Sequence, residues 1–401
     1  MKIGIIREGK TPPDKRVPFT PKQCKLIMDK YPQLELVVQE SPIRAFTDDE
    51  YRINGIKVVE NISDADVIFG VKEVPINMLH ADKTHFFFSH TIKEQPYNRD
   101  LLLAIMERNI KMVDYECLTD KKGRRLVGFG RYAGIVGTYN GFLAYGKTSH
   151  KFSLKAANLC EDRSEMEGEL SKVNLPSNFK IVLTGTGRVG KGAVEILKKL
   201  NLKEVNSADF LSEDFNEPVY TVLGVKNYNK RVDGLEFKTS EFYQSPELFE
   251  SNFYRYAQVA DMFIPCHYWD SEAPFILTKA DMQKSDFKIR TIADISCDID
   301  GPVASTVRPS TIANPIYYVN RFTGEETKEI NADSITVMAV DNLPCELPKD
   351  ASDDFGSELI ENILPHLLGT DNDRIIGRAT ITERGELNNE YKYLNGYVKG
   401  E

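Results

Sequence analysis

Apolar positions along the chain gather into short runs, and the stretches between them have helical spacing. Residues 1–8 (MKIGIIRE), 34–40 (LELVVQE), 65–73 (ADVIFGVKE), 84–90 (THFFFSH) and 110–116 (IKMVDYE) are rich in Val, Ile and Phe and read as buried strands. Residues 20–31 (TPKQCKLIMDKY), with Thr20 as cap and Pro21 in the first turn, and 98–109 (NRDLLLAIMERN) read as helices. This alternation predicts a parallel sheet covered on both faces. The runs close on ionisable groups: Arg7 and Glu8, Lys72 and Glu73, His90 and Lys93, and Glu116. A charge at one strand end marks only where that strand meets water. As a set these ends point to one crevice, because ligands of open α/β sheets sit beyond the carboxyl ends of the strands.

A long helix is predicted over 132–148, and a polar stretch follows at 151–178. The glycines and the Arg124–Arg125 pair before that helix suggest a hinge into a second unit. That unit opens with FKIVLTGTGRVGKGAVEILKKL, where strand 179–184 runs into Gly185, Gly187 and Gly190 and then a helix. The first glycine allows the tight turn, the second lets backbone approach a pyrophosphate, and the third lets helix and strand pack closely. With Arg188 and Val189 these glycines make the candidate dinucleotide loop, its phosphates at the helix N-terminus. An acid is expected on the next strand, about 20 residues on, to bind the adenosine ribose. Asp209 fills that place and favours NAD over NADP, while Lys226, Lys230 and Arg231 could instead meet a 2′-phosphate. Further strands are expected at 219–225, 261–269 and 289–298, the last ending in Asp298. A strand at 334–344 and an amphipathic helix at 351–369 are expected to return to the first domain. The predicted fold is α/β: two Rossmann-like domains with mostly parallel sheets, the first discontinuous. Residues 1–133 plus 335–401 form the substrate side, and 134–334 bind the dinucleotide.

Composition narrows the class. The 401 residues are 41% apolar and 28% charged, ordinary for a globular protein with a full core, and the net charge of −9 argues against nucleic acid as a partner. No apolar run approaches the ~18 residues of a membrane span, and the N-terminus lacks the pattern of a signal peptide, so no membrane partner is expected. Six cysteines and six histidines are scattered without CxxC, HxxxH or HExxH spacing. No metal site is expected, and the thiols are expected to be reduced, in the cytoplasm.

The segments REGKTPPDKRVPFTP, FGVKEVP, FFFSHTIKEQ, VDYECLTDKKGRRLVGFGRYAG, LTGTGRVGKGA, ADISCD and AVDNLPCELPKDAS, in this order, resemble lysine-forming saccharopine dehydrogenase. The resemblance is strongest to the lysine-ketoglutarate reductase half of the bifunctional lysine-degrading enzymes, and more distant to alanine dehydrogenase. SHTIKEQ and AVDNLPCELP are its most specific parts. It implies a dinucleotide, NAD or NADP, in a cleft between two Rossmann-like domains. It implies the substrates L-lysine, 2-oxoglutarate and saccharopine: the first two condense to an imine at the ε-amine, hydride delivery gives saccharopine, and the reverse oxidises it. By resemblance, Lys72 and His90 match an acid–base pair, and Glu73 and Glu116 the carboxylates flanking it. Arg16 and Arg125 match guanidiniums that hold substrate carboxylates, Lys93 and Asp298 further substrate positions, and Phe129 an aromatic wall. Glu73 follows the fungal single-function pattern, where the bifunctional reductases carry a basic residue. The saccharopine-oxidising domain of the bifunctional enzymes has no counterpart here, so a separate enzyme with that activity is an expected partner.

The chemistry suits these residue types. Imine formation moves protons at nitrogen, at the carbinolamine hydroxyl and at water, and acid–base groups work best with a pKa near the operating pH. Histidine has that naturally. Lys72 must come down from about 10.4 by burial or a nearby cation, while Glu73 and Glu116 pull the other way. The planar guanidinium binds carboxylates bidentately, as a tricarboxylate such as saccharopine requires. His267, Tyr268 and Trp269 read as core packing in preference to a cleft wall. The competing readings are alanine dehydrogenase, another opine-type dehydrogenase, and a non-catalytic dinucleotide sensor. Retention of Lys72, His90, Glu116 and Asp298 as a set argues against the sensor.

Overall fold

The five N-terminal apolar runs all become strands in the computed structural model, which describes residues 1–401. They are β1 (Lys2–Ile5), β2 (Glu35–Gln39), β4 (Val67–Phe69), β5 (Thr84–Phe87) and β6 (Lys111–Asp114); a short, half-exposed β3 (Lys57–Val59) adds an edge. The sheet order is β6-β5-β4-β1-β2-β3, every pair parallel. Beyond β6 the strand Thr380–Glu383 pairs antiparallel and turns back into Glu386–Leu387. Side chains from both faces of the central strands are buried, as a parallel sheet covered by helices requires. Phe69 and Phe86 stack at 4.6 Å between ring centres in this core. Burial of each ring stabilises the fold by roughly 1.5–3 kcal/mol. Helix Pro21–Lys30 starts in a capping box, the Thr20 hydroxyl accepting from the Gln23 N–H and the Gln23 side chain accepting from the Thr20 N–H.

This sheet, with the helices around it, makes one compact unit of Met1–Phe129 and Pro348–Glu401; Gly130–Leu347 makes the other. The second sheet comprises β7 (Lys180–Thr184), β8 (Lys203–Glu204), β9 (Val219–Leu223), β12 (Met262–Pro265), β13 (Thr291–Ala293), β14 (Ile316–Asn320), β15 (Glu326–Thr327) and β16 (Ser334–Met338); β10 (Asn229–Arg231) and β11 (Phe249–Ser251) form a separate hairpin. Its order is β15-β14-β16-β13-β12-β7-β9-β8, parallel except around β14. Both units are thus mixed, mostly parallel α/β sheets of eight strands.

Three expectations are corrected. The segment 335–347 does not join the first unit: β16 pairs with β13 and β14, and all five of its residues are buried in the second sheet. The crossings between units fall at 129/130 and 347/348, and helix Gly130–Ser149 opens the second unit. The tail helix is two helices, Pro348–Asn362 and Leu364–Leu368, because Pro365 offers no N–H and its ring would clash with the preceding turn. Asp209 does not sit on a strand. The strand ends at Glu204, and Asn206 caps helix Ser207–Ser212 by accepting from the Ala208 and Asp209 N–H groups.

Candidate active site and dinucleotide site

The first unit gathers ionisable side chains at the carboxyl ends of β1, β4, β5 and β6. Glu8, just past β1, accepts the N–H groups of Val71 (2.7 Å) and Lys72 (2.9 Å), fixing the backbone that carries Lys72. Desolvation, then the charge of Asp14, pushes its carboxyl up to about 8. Burial, then the Arg16 guanidinium, lowers the Lys72 ammonium from its usual range, with Glu73 acting in the opposite sense. Glu73 is the junction. Its Oε1 meets His90 Nδ1 at 2.7 Å and its Oε2 accepts from Lys10 Nζ at 2.8 Å. Burial would raise Glu73, but His90 and Lys10 together outweigh it and hold the carboxyl at about 2. His90 follows β5 with φ +54°.

Arg16 is only 2% exposed and is held by Asp14, through Nε at 3.0 Å and Nη2 at 2.6 Å. Burial would raise Asp14, yet Arg16 keeps it at about 2. The guanidinium lies 4.1 Å from the centre of the Phe129 ring, which stacks in turn on Phe355. Glu116 does not bond to His90. Its Oε1 pairs with Arg125 Nη2 (3.2 Å) and Lys93 Nζ (3.6 Å), while Oε2 is buried without a hydrogen-bond partner. The predicted catalytic and substrate residues of this unit therefore form two groups. Lys72, Glu73, His90, Arg16 and Phe129 belong to one, with Glu8, Lys10 and Asp14 added; Glu116, Lys93 and Arg125 make the other. Asp14 and Lys10 stand out in sequence only as charges in a Pro-flanked loop, so their partners were not legible.

In the second unit, β7 runs into the glycine-rich turn. Gly185 has φ +101°, and a Cβ there would lie 2.4 Å from the Cys266 carbonyl oxygen. A Cβ on Gly190 would lie 2.0 Å from the Gly185 carbonyl oxygen, so only glycine permits this packing. Gly187 caps helix Arg188–Lys199 with nothing crowding its Cα. Gly185, Gly187, Arg188 and Val189 line a cavity of about 830 Å³ that also reaches Lys226 and Asp298; Gly190 lies behind the turn and Asp209 is not in the lining. Asp298 is pushed up to about 6 by burial and by Asp294. Another wall residue is His267, read above as core. Its Nδ1 meets Thr184 Oγ1 at 2.7 Å, burial lowers its pKa to about 3, and its buried Nε2 has no partner. A bare backbone turn and a helix N-terminus in one cavity fit a dinucleotide.

Residues 4–136 match the family of the alanine dehydrogenase/PNT N-terminal domain. Alpha-aminoadipic semialdehyde synthase of Arabidopsis thaliana is 28% identical over 98% of this chain and 41% of its own length. The mitochondrial synthase of Bos taurus is 30% identical over 98% and 47%. The chain thus spans less than half the length of these relatives. Saccharopine dehydrogenase [NAD(+), L-lysine-forming] of Candida glabrata is 28% identical over 90% of this chain and 91% of its own. An L-alanine dehydrogenase structure superposes with a TM-score of 0.66 at 16% identity, covering 100% of this chain and 99% of that one. Residues 4–136 thus match the N-terminal domain of the alanine dehydrogenase/PNT family, the chain is similar to saccharopine dehydrogenases over most of both lengths, and its fold is that of L-alanine dehydrogenase.

Proposed function

We propose that the protein is a nicotinamide-dependent oxidoreductase acting on a CH–NH bond, which condenses L-lysine with 2-oxoglutarate to saccharopine or runs the reverse. The observation that carries this reading is the Glu73–His90 pair at 2.7 Å beside a desolvated Lys72. The lysine ε-amine must be neutral to add to the keto carbon, and the carbinolamine must lose water to leave the imine. Lys72, whose neutral amine is favoured by burial and by Arg16, takes a proton from the incoming ammonium. His90, its ring fixed by Glu73, gives a proton to the departing hydroxyl. Loss of that water leaves the imine protonated at nitrogen, and a reduced nicotinamide, when bound, would supply the hydride that takes it to the secondary amine. Lys93 and Arg125, exposed and sharing Glu116, exchange that partner for substrate carboxylates.

Strand order supports a choice of cofactor. The strand next to β7 is β9, not β8, so the ribose-reading position falls just beyond Leu223. Lys226 stands there in the cavity wall, exposed and with no carboxylate paired to it, while Lys230 pairs with Glu250 and Arg231 with Asp233 and Glu241. A cation in this place favours a 2′-phosphate, so we infer NADPH rather than NADH. Lysine with 2-oxoglutarate, or pyruvate with ammonium, is mixed with each dinucleotide and nicotinamide absorbance is followed. Oxidation of NADPH only with lysine and 2-oxoglutarate supports the reading. Turnover of pyruvate and ammonium instead would move the protein to the alanine dehydrogenase reaction, which the N-terminal family match also accommodates.

A further inference from the structure

Asp114 ends β6 with no exposed surface, and none of the roles above uses it. Its Oδ2 accepts the backbone N–H of Ser89 at 3.0 Å and the Ser89 hydroxyl; its Oδ1 accepts the N–H of Glu116 at 2.7 Å. Ser89 Oγ lies 2.8 Å from Thr91 Oγ1 and accepts the Thr91 N–H at 3.2 Å. His90 sits between Ser89 and Thr91 in the left-handed region, at φ +54°. A non-glycine residue keeps that conformation only where its surroundings impose it. One carboxylate therefore ties the turn presenting His90 to the turn presenting Glu116, and through Glu116 to Lys93 and Arg125. As a core residue Asp114 is a poor choice, since burying a carboxylate is costly and an apolar side chain would fill the space. Asparagine is no substitute. It has one acceptor oxygen, and its NH₂ would face the N–H of either Ser89 or Glu116.

We propose that Asp114 is a positioning residue, fixing His90 and Glu116 relative to each other so that proton transfer and carboxylate binding act on one substrate. The inference rests on the reaction proposed above, so its test has one arm that uses turnover and one that does not.

In the first arm Asp114→Asn lowers kcat roughly 100-fold, the scale of an ångström misplacement of reacting groups, with dinucleotide affinity within about twofold of wild type. In a Glu116→Gln background the same change has much less effect, because the two act as a unit. Independent, multiplicative losses, or an unchanged kcat, overturn the proposal. In the second arm the ring-nitrogen NMR signals of His90, assigned with His90→Gln, are compared in wild type, Asp114→Asn and Ser89→Ala. Displaced His90 signals in both variants support positioning, and unmoved signals overturn it. Where Asp114→Asn does not fold, Ser89→Ala carries both arms. If wild type turns over no lysine and 2-oxoglutarate, the reaction is wrong, and the NMR arm still decides the role of Asp114.

Discussion

Replacing Glu73 by glutamine keeps the shape of the junction and removes its charge. The carboxyl titrates at about 2 in the folded protein against an ordinary 4.5, because His90 and Lys10 outweigh its desolvation. At about 1.36 kcal/mol per pKa unit, that depression corresponds to roughly 3 kcal/mol. The side chain is 11% exposed but Lys10 is 34% exposed, so solvent screening brings the expected loss to about 2 kcal/mol at neutral pH. The sign follows from linkage. A carboxyl with a depressed folded pKa contributes stability above its unfolded value and loses it as pH falls through the folded value. The gap between wild type and Glu73→Gln should be full at pH 6–7, shrink below about 4.5 and close near 2. The assay is urea unfolding at a series of pH values, read by far-ultraviolet circular dichroism. The fluorescence of Trp269, the one tryptophan, which lies in the second unit, serves as a separate reporter. Separate reporters matter because multidomain unfolding is not two-state in general. A gap that is the same at pH 3 and pH 7, or no gap at all, refutes the electrostatic account of Glu73.

Three further outcomes are expected. Lys72→Met and His90→Gln should each slow the single-turnover chemical step 100-fold or more while leaving the dinucleotide dissociation constant, measured by nicotinamide fluorescence, nearly unchanged; lost cofactor affinity would contradict the assigned roles. Gly190→Ala places a methyl 2.0 Å from the Gly185 carbonyl oxygen and should abolish dinucleotide binding and lower the thermal midpoint of the second unit, both read by Trp269 fluorescence. Asp298 titrates near 6, so if its carboxylate is the working form, kcat/KM rises as pH passes 6 and this limb disappears in Asp298→Asn; a limb that persists belongs to another group.

What the sequence disclosed and what it withheld divide along a physical line. An apolar run that stops at a charge reports local facts, a strand leaving the core, and those facts placed Lys72, His90 and Glu116 at strand ends. The glycine turn was legible for the same reason, since each glycine answers a steric demand within the turn or against the strand beside it. Partner choice is not local. β16 is five buried residues, and such a run reads alike in any sheet, so its membership in the second sheet rests on pairing with β13 and β14 across long separations. The exchange of β8 and β9 has the same origin, and with it the residue just beyond the strand beside β7 in the cavity wall is Lys226, with Asp209 outside the lining. Asp114 is the sharpest instance. In sequence it is one polar residue at the end of VD, no different from a strand meeting water. Only its position 25 residues from Ser89, closed by a hydrogen bond, links the turn that carries His90 to the turn that carries Glu116. Residues that touch substrate must be chemically distinctive and so can be found by type. Residues that aim them need only an acceptor in the right place, and that place exists only after the sheet has formed.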